Sequence, residues 1–332
     1  MKDPVSSISR RNIIKTLVGG MALAPFLSKT AWAAWPTDKL IKLEIPFAAG
    51  GATDLLGRAL GTGLGKSLKQ SVVVENRAGA GGIVGAQMVA AAPADGYTLL
   101  LASGSMFTVN QFIYKSIPYS LESFSLVCKV ASGPMVLTVN ADLPVQNTRE
   151  LIDYVKSRPG KITFASAGVG SQTHIAGESF ADTAGLSMTH VPYKGDGPAY
   201  VDLMAGVVDV ALANINSVTP LLKSGRLRAL SVTGEERSAL LPDVPTTAED
   251  GLPGFTFTSW FALVSPTGTP QSVIDQLLLA VKSAVKDPDF KEYLASQGMI
   301  ATIEPSTELK QNILNESAQW KVLVEKKNIA AS

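Results

Sequence analysis

The sequence Ile45-Pro-Phe-Ala-Ala-Gly-Gly-Ala-Thr-Asp54 is the point at which the chain changes from a strand to a helix. The apolar run from Leu40 to Phe47 predicts a buried strand, and two glycines end it. Beyond Ala52, leucines recur every four residues and predict a helix with one apolar face: Leu56, Leu60, Leu64 and Leu68. A strand, a tight glycine turn and a helix start therefore follow one another directly.

A helix start of this kind can hold an anionic group. Its first backbone N–H groups have no partner within the helix, and they carry a partial positive charge. Glycine has no Cβ, so a ligand can approach the backbone closely. The alternative is purely structural: Gly50 and Gly51 make a tight turn, and Thr53 or Asp54 helps to cap the helix. The turn alone does not distinguish these two interpretations.

Residues 1–33 have the features of an export signal. Arg10 and Arg11 precede an apolar stretch, Leu17 to Leu27, that is too short to span a bilayer. Ala31-Trp-Ala33 supplies the small residues of a cleavage site, so we expect the mature chain to begin at Ala34. The segment resembles a twin-arginine signal, which exports folded proteins, and an ordinary secretory signal is the alternative. Either way, the protein is expected to leave the cytoplasm.

The composition excludes several classes of function. Residues 1–33 hold five basic residues and one acidic residue, so their removal changes the net charge from +1 to about −3. The chain has no Lys/Arg cluster of the kind that nucleic-acid-binding proteins use. Cys128 is the only cysteine, so no internal disulfide forms despite the oxidising destination. The remaining chain of about 300 residues has a length that usually divides into two domains.

Strands and helices alternate through the mature chain, which predicts an α/β fold with two mostly parallel sheets flanked by helices. The C-terminal helices need a core to pack on, and the first strands need covering helices. We therefore expect the chain to leave domain 1 near residue 138 and to return near residue 260. The two crossover strands, Val136 to Asn140 and Trp260 to Val264, are expected to lie side by side as a hinge. The predicted bounds are 1–33 for the export signal, 34–137 with 265–332 for domain 1, and 138–264 for domain 2.

Four strand-to-helix junctions are rich in Gly, Ser or Thr: Ala49 to Thr53, Ser103 to Ser105, Ser166 to Thr173, and Tyr193 to Gly197. In open α/β sheets, ligands bind outside the carboxyl ends of the strands, where such junctions lie. Two junctions fall in each predicted domain, so hydroxyl and amide groups from both sides would line a cleft between the domains. Any one junction alone is better explained as a structural turn.

The motifs of enzymes are incomplete. Residues 61–67 resemble a phosphate-binding loop, but Leu60 stands at its required first glycine. Residues 79–85 miss the dinucleotide fingerprint because Ala80 replaces its first glycine. The sequence contains no GxSxG, HExxH or CxxC motif. We therefore expect no catalytic residue and no cofactor.

The two histidines do not predict a metal site, because no carboxylate lies at a supporting spacing. His190 is expected to pack within or at the edge of a strand. His174 lies in the first turn of a predicted helix, where it either donates to a ligand or makes a hydrogen bond at the helix start. The sequence leaves these two roles of His174 open.

Several longer motifs occur in one order along the mature chain: Pro46 to Asp54 with Arg58, Val74 to Gly82, Ala94 to Leu99, Gly168 to Ser171 with His174, Val191 to Gly195, Gly225 to Leu230, and Leu241 to Thr246. Together they resemble the Bug family, the extracytoplasmic solute-binding proteins of tripartite tricarboxylate transporters. This ordered set over about 300 residues is far more specific than any single loop.

The resemblance implies a periplasmic, two-domain binding protein of the type II-like, hinged Venus flytrap kind, expected to be a monomer. It implies a small carboxylate ligand, often a dicarboxylate or an aromatic acid, that is handed to a membrane permease. By position it assigns two sets of ligand-binding residues. Domain 1 would contribute Phe47, Ala49, Gly50, Gly51, Thr53, Ser103 and Ser105. Domain 2 would contribute Ser166, Gly170, Ser171, His174 and Asn214.

One position departs from the family pattern, because Ala213 stands where relatives often have Asp. We expect this change to remove a negative group from the cleft and so to favour an uncharged or acidic ligand over an amino acid. Two other functions remain open. An exported hydrolase would use His174 with a nearby serine, although the acidic partners for it are missing. A binding protein could also report its ligand to a sensor kinase rather than to a permease.

Overall fold

The computed structural model describes residues 35–36 and 39–331. The chain divides into two units, residues 1–37 and residues 38–332, and all the strands and helices below belong to the second. The predicted export signal, residues 1–33, lies outside the described residues. None of the helices in the described ranges is long and apolar enough to cross a membrane.

Strands and helices alternate much as the sequence predicts. The strands are β1 Ile41–Ile45, β2 Val72–Asn76, β3 Thr98–Ser103, β4 Phe124–Asn140, β5 Thr163–Ser166, β6 Thr189–Pro192, β7 Val210–Asn214, β8 Leu227–Val232, β9 Thr258–Pro266 and β10 Ile300–Ala301. The helices are α1 Ala52–Leu68, α2 Ile83–Ala90, α3 Ser105–Thr108, α4 Asn110–Ile113, α5 Thr148–Lys156, α6 Gln172–Ala184, α7 Asp196–Met204, α8 Ile215–Leu222, α9 Gln271–Lys286, α10 Pro288–Ser296 and α11 Ser306–Lys327.

The strands form one hydrogen-bonded path in the order β2-β1-β3-β9-β4-β7-β5-β6, and β8 and β10 also pair with β4. β1 is parallel to β2 and β3, and β5 is parallel to β6 and β7. The pairs that involve β4 or β9 are antiparallel. The predicted α/β class is confirmed, with parallel strands in the outer parts of the sheet and antiparallel strands at its centre.

The 17-residue strand β4 joins two parts of the sheet. We call β1, β2, β3, β9, β10 and residues 124–134 of β4 the first wing. The second wing consists of β5, β6, β7, β8 and residues 135–140 of β4. In the first wing β4 pairs with β9, from Phe124 opposite Pro266 to Pro134 opposite Thr258. In the second wing β4 pairs with β7 on one side and β8 on the other.

The predicted hinge pairing is wrong in its register. Val136 to Asn140 pairs with β7 and β8, whereas Trp260 and Val264 lie opposite Ser132 and Leu126. The sequence pattern predicts two short strands here, at residues 127–130 and 134–140. In the structure one strand runs through both wings, with irregularities at 126–128 and 129–131 in its pairing with β9. The domain bounds stay a prediction.

Helix α11 contacts both wings. Leu309 and Ile313, near its start, belong to the apolar cluster of the first wing. Val324, near its end, belongs to the cluster around β5, α5 and α6. Lys326 and Lys327 then form ion pairs with Asp182 and Glu178 of α6. The C-terminal helix therefore does not cover the first wing alone.

We expect Gly177→Ala to lower the free energy of unfolding. A Cβ at Gly177 of α6 would lie 2.4 Å from the ring of Phe164, which is buried in β5. Overpacking of this kind costs roughly 1–3 kcal/mol, against a gain of up to about 1 kcal/mol in helix propensity. Urea unfolding followed by circular dichroism measures the net loss.

A second glycine of the same helix provides the control. Gly185 ends α6 at φ +64° with open space around its Cβ direction, so Gly185→Asn should have a much smaller effect. Equal stability of the Gly177→Ala variant and the wild type would show that α6 does not pack as closely on Phe164 as described.

Candidate ligand-binding site

A small polar cavity lies between the two wings. It encloses about 20 Å³, which is room for about one water molecule. The first wing and its connections contribute Phe47, Gly51, Ala52, Thr53, Ser103 and Phe261. The second wing and its connections contribute Ala167, Ser171, Gln172, Thr173, Asp196 and Asn214. The cavity is therefore shared equally between the wings.

Hydrogen bonds to the carboxylate of Asp54 stabilise the glycine turn of the first wing. This carboxylate accepts hydrogen bonds from the backbone N–H of Gly50 at 2.9 Å and from Asn76 Nδ2 at 3.0 Å. Arg58 Nη2 lies 2.9 Å from the same carboxylate. Burial by itself would raise the pKa of Asp54, but the donors, led by Arg58, outweigh it and lower the pKa. Gly51 is the N-cap of α1, so Asp54 supports the turn without being the cap residue itself.

The start of α6 forms the facing wall. Ser171 is the N-cap residue, and its Oγ accepts a hydrogen bond from the backbone N–H of His174 at 3.2 Å. The backbone N–H of Gly170 donates to His174 Nδ1 at 3.1 Å. Thr173 Oγ1 accepts from the backbone N–H of Ala167 at 2.8 Å. These bonds fix the turn between β5 and α6.

Gln172 links α6 to the first wing. Its Nε2 donates to Ser103 Oγ at 2.9 Å and to the backbone oxygen of Trp260 at 3.2 Å. Its Oε1 accepts from the backbone N–H of Trp260 at 2.9 Å. This one buried side chain therefore links the end of β3 and the first part of β9 to the second wing.

A second link joins the glycine turn to the start of α7. The backbone N–H of Ala48 donates to the backbone oxygen of Lys194 at 3.0 Å. A Cβ at Gly197 would lie 2.7 Å from the backbone oxygen of Ala49, so only glycine permits this approach. The two wings are in close backbone contact at this edge of the cavity.

Asp196 places a carboxylate inside the cavity. Its Oδ2 accepts a hydrogen bond from the backbone N–H of Ala52, in the first turn of α1, at 3.3 Å, and another from Asn214 Nδ2 at 2.9 Å. Burial raises the pKa of Asp196, and the hydrogen bonds from Asn214 and Ala52 oppose this rise. The carboxylate of Asp196, in the second wing, thus contacts the N-terminus of α1, in the first wing.

The structure brings half of the predicted site residues to the cavity wall: Phe47, Gly51, Thr53, Ser103, Ser171 and Asn214. Ala49 and Gly50 belong to the same glycine turn but do not line the cavity. The other four, Ser105, Ser166, Gly170 and His174, also lie outside the lining set. Their assignment to ligand binding stays a prediction.

The two histidines form a buried stack behind the start of α6. Their ring centroids are 3.9 Å apart, and Phe164 stacks on His190 at 4.8 Å. His190 Nε2 lies 2.6 Å from Ser166 Oγ. Burial lowers the pKa of His174 to about 3, with a smaller effect from His190, and lowers that of His190 to about 4. His174 thus takes part in a hydrogen bond at the helix start, and its role in ligand binding stays a prediction.

Sequence reasoning omitted Asp196 and Gln172 from the site. Asp196 belongs to the junction Tyr193 to Gly197, which the sequence did mark, so a signal existed. Gln172 also lies in a marked junction, Ser166 to Thr173, but its partner Trp260 is 88 residues away in sequence, and nothing in the pattern connects them.

Ala213 does not decide the charge of the cavity wall. Ala213 packs in an apolar cluster with Val136 and Tyr200 and does not line the cavity. Asp196 supplies a carboxylate from a different element. Within the described ranges, no group of three or more His, Cys, Asp or Glu residues could hold a metal ion.

Two wings that share a central strand and enclose a polar cavity define the class of two-domain periplasmic binding proteins. Among solved structures, the chain is similar to the periplasmic binding protein BugD, with a TM-score of 0.85 and 33% identity over 89% of this chain and all of that one. An R. palustris protein solved with adipate matches with a TM-score of 0.85 and 33% identity over 89% of this chain and 99% of that one. MatC from Rhodopseudomonas palustris with bound malate matches with a TM-score of 0.81 and 30% identity, over 86% and 98%.

The family follows from the sequence match. The family model described as "Tripartite tricarboxylate transporter family receptor" matches residues 56–329. The chain therefore belongs to this receptor family, and the resemblance to the Bug proteins is confirmed. The family and its solved members are solute-binding proteins, so this chain is a solute-binding receptor and not an enzyme.

The histidine stack predicts a steep loss of stability in mild acid. In the unfolded chain both rings bind a proton below pH about 6.5, whereas the folded rings do so only near 3 and 4. The free energy of unfolding should therefore fall as pH falls from about 6.5 towards 4, by up to roughly 1.4 kcal/mol per pH unit for each histidine. His190→Gln keeps an amide beside Ser166 and removes one titrating ring. It should therefore reduce this slope by the contribution of one histidine, up to roughly 1.4 kcal/mol per pH unit.

Urea unfolding between pH 7 and pH 4.5 measures the slope, with far-UV circular dichroism to confirm that the variant folds. An unchanged slope would mean that His190 is not buried in its neutral form.

Proposed function

We propose that this receptor captures a small carboxylate, a dicarboxylate or an aromatic acid, in the cavity between the wings. We further propose that it delivers this ligand to the membrane permease subunits of a tripartite tricarboxylate-type transporter. One observation carries the proposal: α1, α6, α7 and α8 all begin at the cavity. Their first or capping residues are Gly51, Ser171, Asp196 and Asn214.

Helix N-termini attract anions. Each presents free N–H donors and a partial positive charge, and an enclosed site strengthens both effects. The hydroxyl groups of Thr53, Ser103 and Ser171 add further donors on the cavity wall. The relatives solved with adipate and with malate support the choice, since both ligands are dicarboxylic acids.

The hydrogen bonds available are sufficient for tight binding. A hydrogen bond to a charged group contributes about 1.5–3 kcal/mol. Roughly four to six of them exceed the ~8 kcal/mol that micromolar binding requires. The surplus offsets the cost of closure and the lost freedom of the ligand.

Binding requires the wings to separate, because a cavity of about 20 Å³ does not hold a dicarboxylic acid. Opening would break the links made by Gln172 to Trp260, Ala48 to Lys194 and Asp196 to Ala52. β4 and β9 would then act as the hinge. A ligand that contacts both wings favours the closed form, because only that form brings both sets of donors within reach.

The working location that we propose is the periplasm, reached by the twin-arginine route, with the receptor acting as a monomer. Transport is the output that the family description favours. A receptor that signals to a sensor kinase would use the same closure. Growth on the bound acid with and without the permease genes would separate the two outputs.

Thr53→Ala should weaken carboxylate binding by roughly tenfold or more, because it removes a hydroxyl that lines the cavity next to the N-terminus of α1. Isothermal titration calorimetry with adipate, malate and benzoate measures the change. Thr62→Ala is the matched control, since Thr62 lies on the same helix and its hydroxyl donates only to Arg58 O at 3.0 Å. Equal affinities for Thr53→Ala and wild type, or tight binding of sugars in place of acids, would refute the proposal.

Replacement of both Arg10 and Arg11 by Lys should block export if the twin-arginine route is used. Cell fractionation and immunoblotting detect the precursor in the cytoplasm. Normal amounts of the double variant in the periplasm would favour the ordinary secretory signal instead.

A further inference from the structure

Two acceptor oxygens inside the cavity have no donor. Asp196 Oδ1 and Asn214 Oδ1 are both buried, and neither receives a hydrogen bond from any part of the chain that the structure describes. Each residue is only 5% exposed, and both line the cavity. The two are neighbours, since Asn214 Nδ2 donates to Asp196 Oδ2 at 2.9 Å.

A buried acceptor without a donor is unfavourable. The loss is larger for a charged group than for a neutral one. The donors near Asp196, from Ala52 and Asn214, are both directed at Oδ2 and leave Oδ1 unsatisfied. Burial raises the pKa of the carboxyl group, and a cationic partner would instead stabilise its ionised form.

The cavity is therefore polarised. The N-terminus of α1 and the start of α6 present donors, through backbone N–H groups and the hydroxyls of Thr53 and Ser171. The side formed by Asp196 and Asn214 presents acceptors. A plain dicarboxylate satisfies the donors but meets the acceptors with further oxygen atoms.

We propose that Asp196 and Asn214 form an acceptor subsite that binds a hydrogen-bond donor, an ammonium or a hydroxyl group, on the carboxylic acid. This inference rests on the proposed function and names the substrate class more closely: an amino acid or a hydroxy acid rather than an unsubstituted diacid. Because Asp196 is a carboxylate, an ammonium group adds an ion pair to the hydrogen bond. Asp196 is thus the residue that determines specificity.

Matched ligands test this directly on the mature protein. Succinate, malate and aspartate differ only in the group at C2, which is hydrogen, hydroxyl or ammonium. Glutarate, 2-hydroxyglutarate and glutamate repeat the series with one more carbon, so that the comparison does not depend on a single carbon-chain length. By calorimetry we expect affinity to rise along at least one series, with the ammonium ligand at least roughly tenfold tighter than the unsubstituted acid.

The variant Asp196→Asn keeps the shape of the side chain and removes its charge. It should weaken binding of the ammonium ligand by roughly tenfold or more and leave the unsubstituted acid equal or tighter. Asp202→Asn is the matched control, since Asp202 is a partly buried carboxylate on the same helix that accepts from Tyr193 Oη at 2.7 Å and does not line the cavity. It should leave both series unchanged. The wild-type series does not depend on whether either variant folds.

Three results would overturn the inference, and they are distinguishable. If the unsubstituted acids bind as tightly as their amino and hydroxy counterparts, the subsite is wrong while the proposed function stands. If Asp196→Asn tightens every acid equally, Asp196 instead competes with the ligand carboxylate for the N-terminus of α1. If no acid of either length binds, the proposed function itself fails and the subsite falls with it.

Discussion

The contact between Asp196 and the N-terminus of α1 is the interaction on which the site depends. It places a buried carboxylate from the second wing against a free backbone N–H of the first. A carboxylate is stable there because the helix start supplies donors and positive potential. The same contact defines the distance between the wings, because the glycine turn packs directly on α7. The proposed binding, closure and selectivity therefore all involve one small region.

In the proposed opening, the continuous strand β4 would let the two wings separate and still remain one sheet. Residues 124–134 of this strand pair with β9, and residues 135–140 pair with β7 and β8. The two wings are therefore joined by the strand itself, and the change of partners falls between Pro134 and Met135. Bending at that point disturbs few pairs. Helix α11 contacts both wings as well, so its C-terminal ion pairs with α6 would add to the cost of the proposed opening.

Much of the fold was accessible from the sequence because it depends on local patterns. The leucines of α1 recur at the helical period, and Asn147 is a residue type that favours a helix N-cap, where its side chain accepts from the backbone N–H of Glu150. The hinge register was not accessible. The register depends on which distant strands pair with β4, and the sequence of residues 131–134 alone suggests a break between two strands where the structure has one.

The sequence by itself determined the alternation of strands and helices, the glycine junctions and the family. These follow from periodicity and from the special backbone freedom of glycine, which act over a few residues. Only the tertiary structure decided which junction groups meet. Gln172 reaches Trp260 and Asp196 reaches Ala52 across long stretches of chain, and the histidines are buried behind the cavity rather than in it. Such pairings depend on how two wings pack, and no local pattern records the packing of distant surfaces.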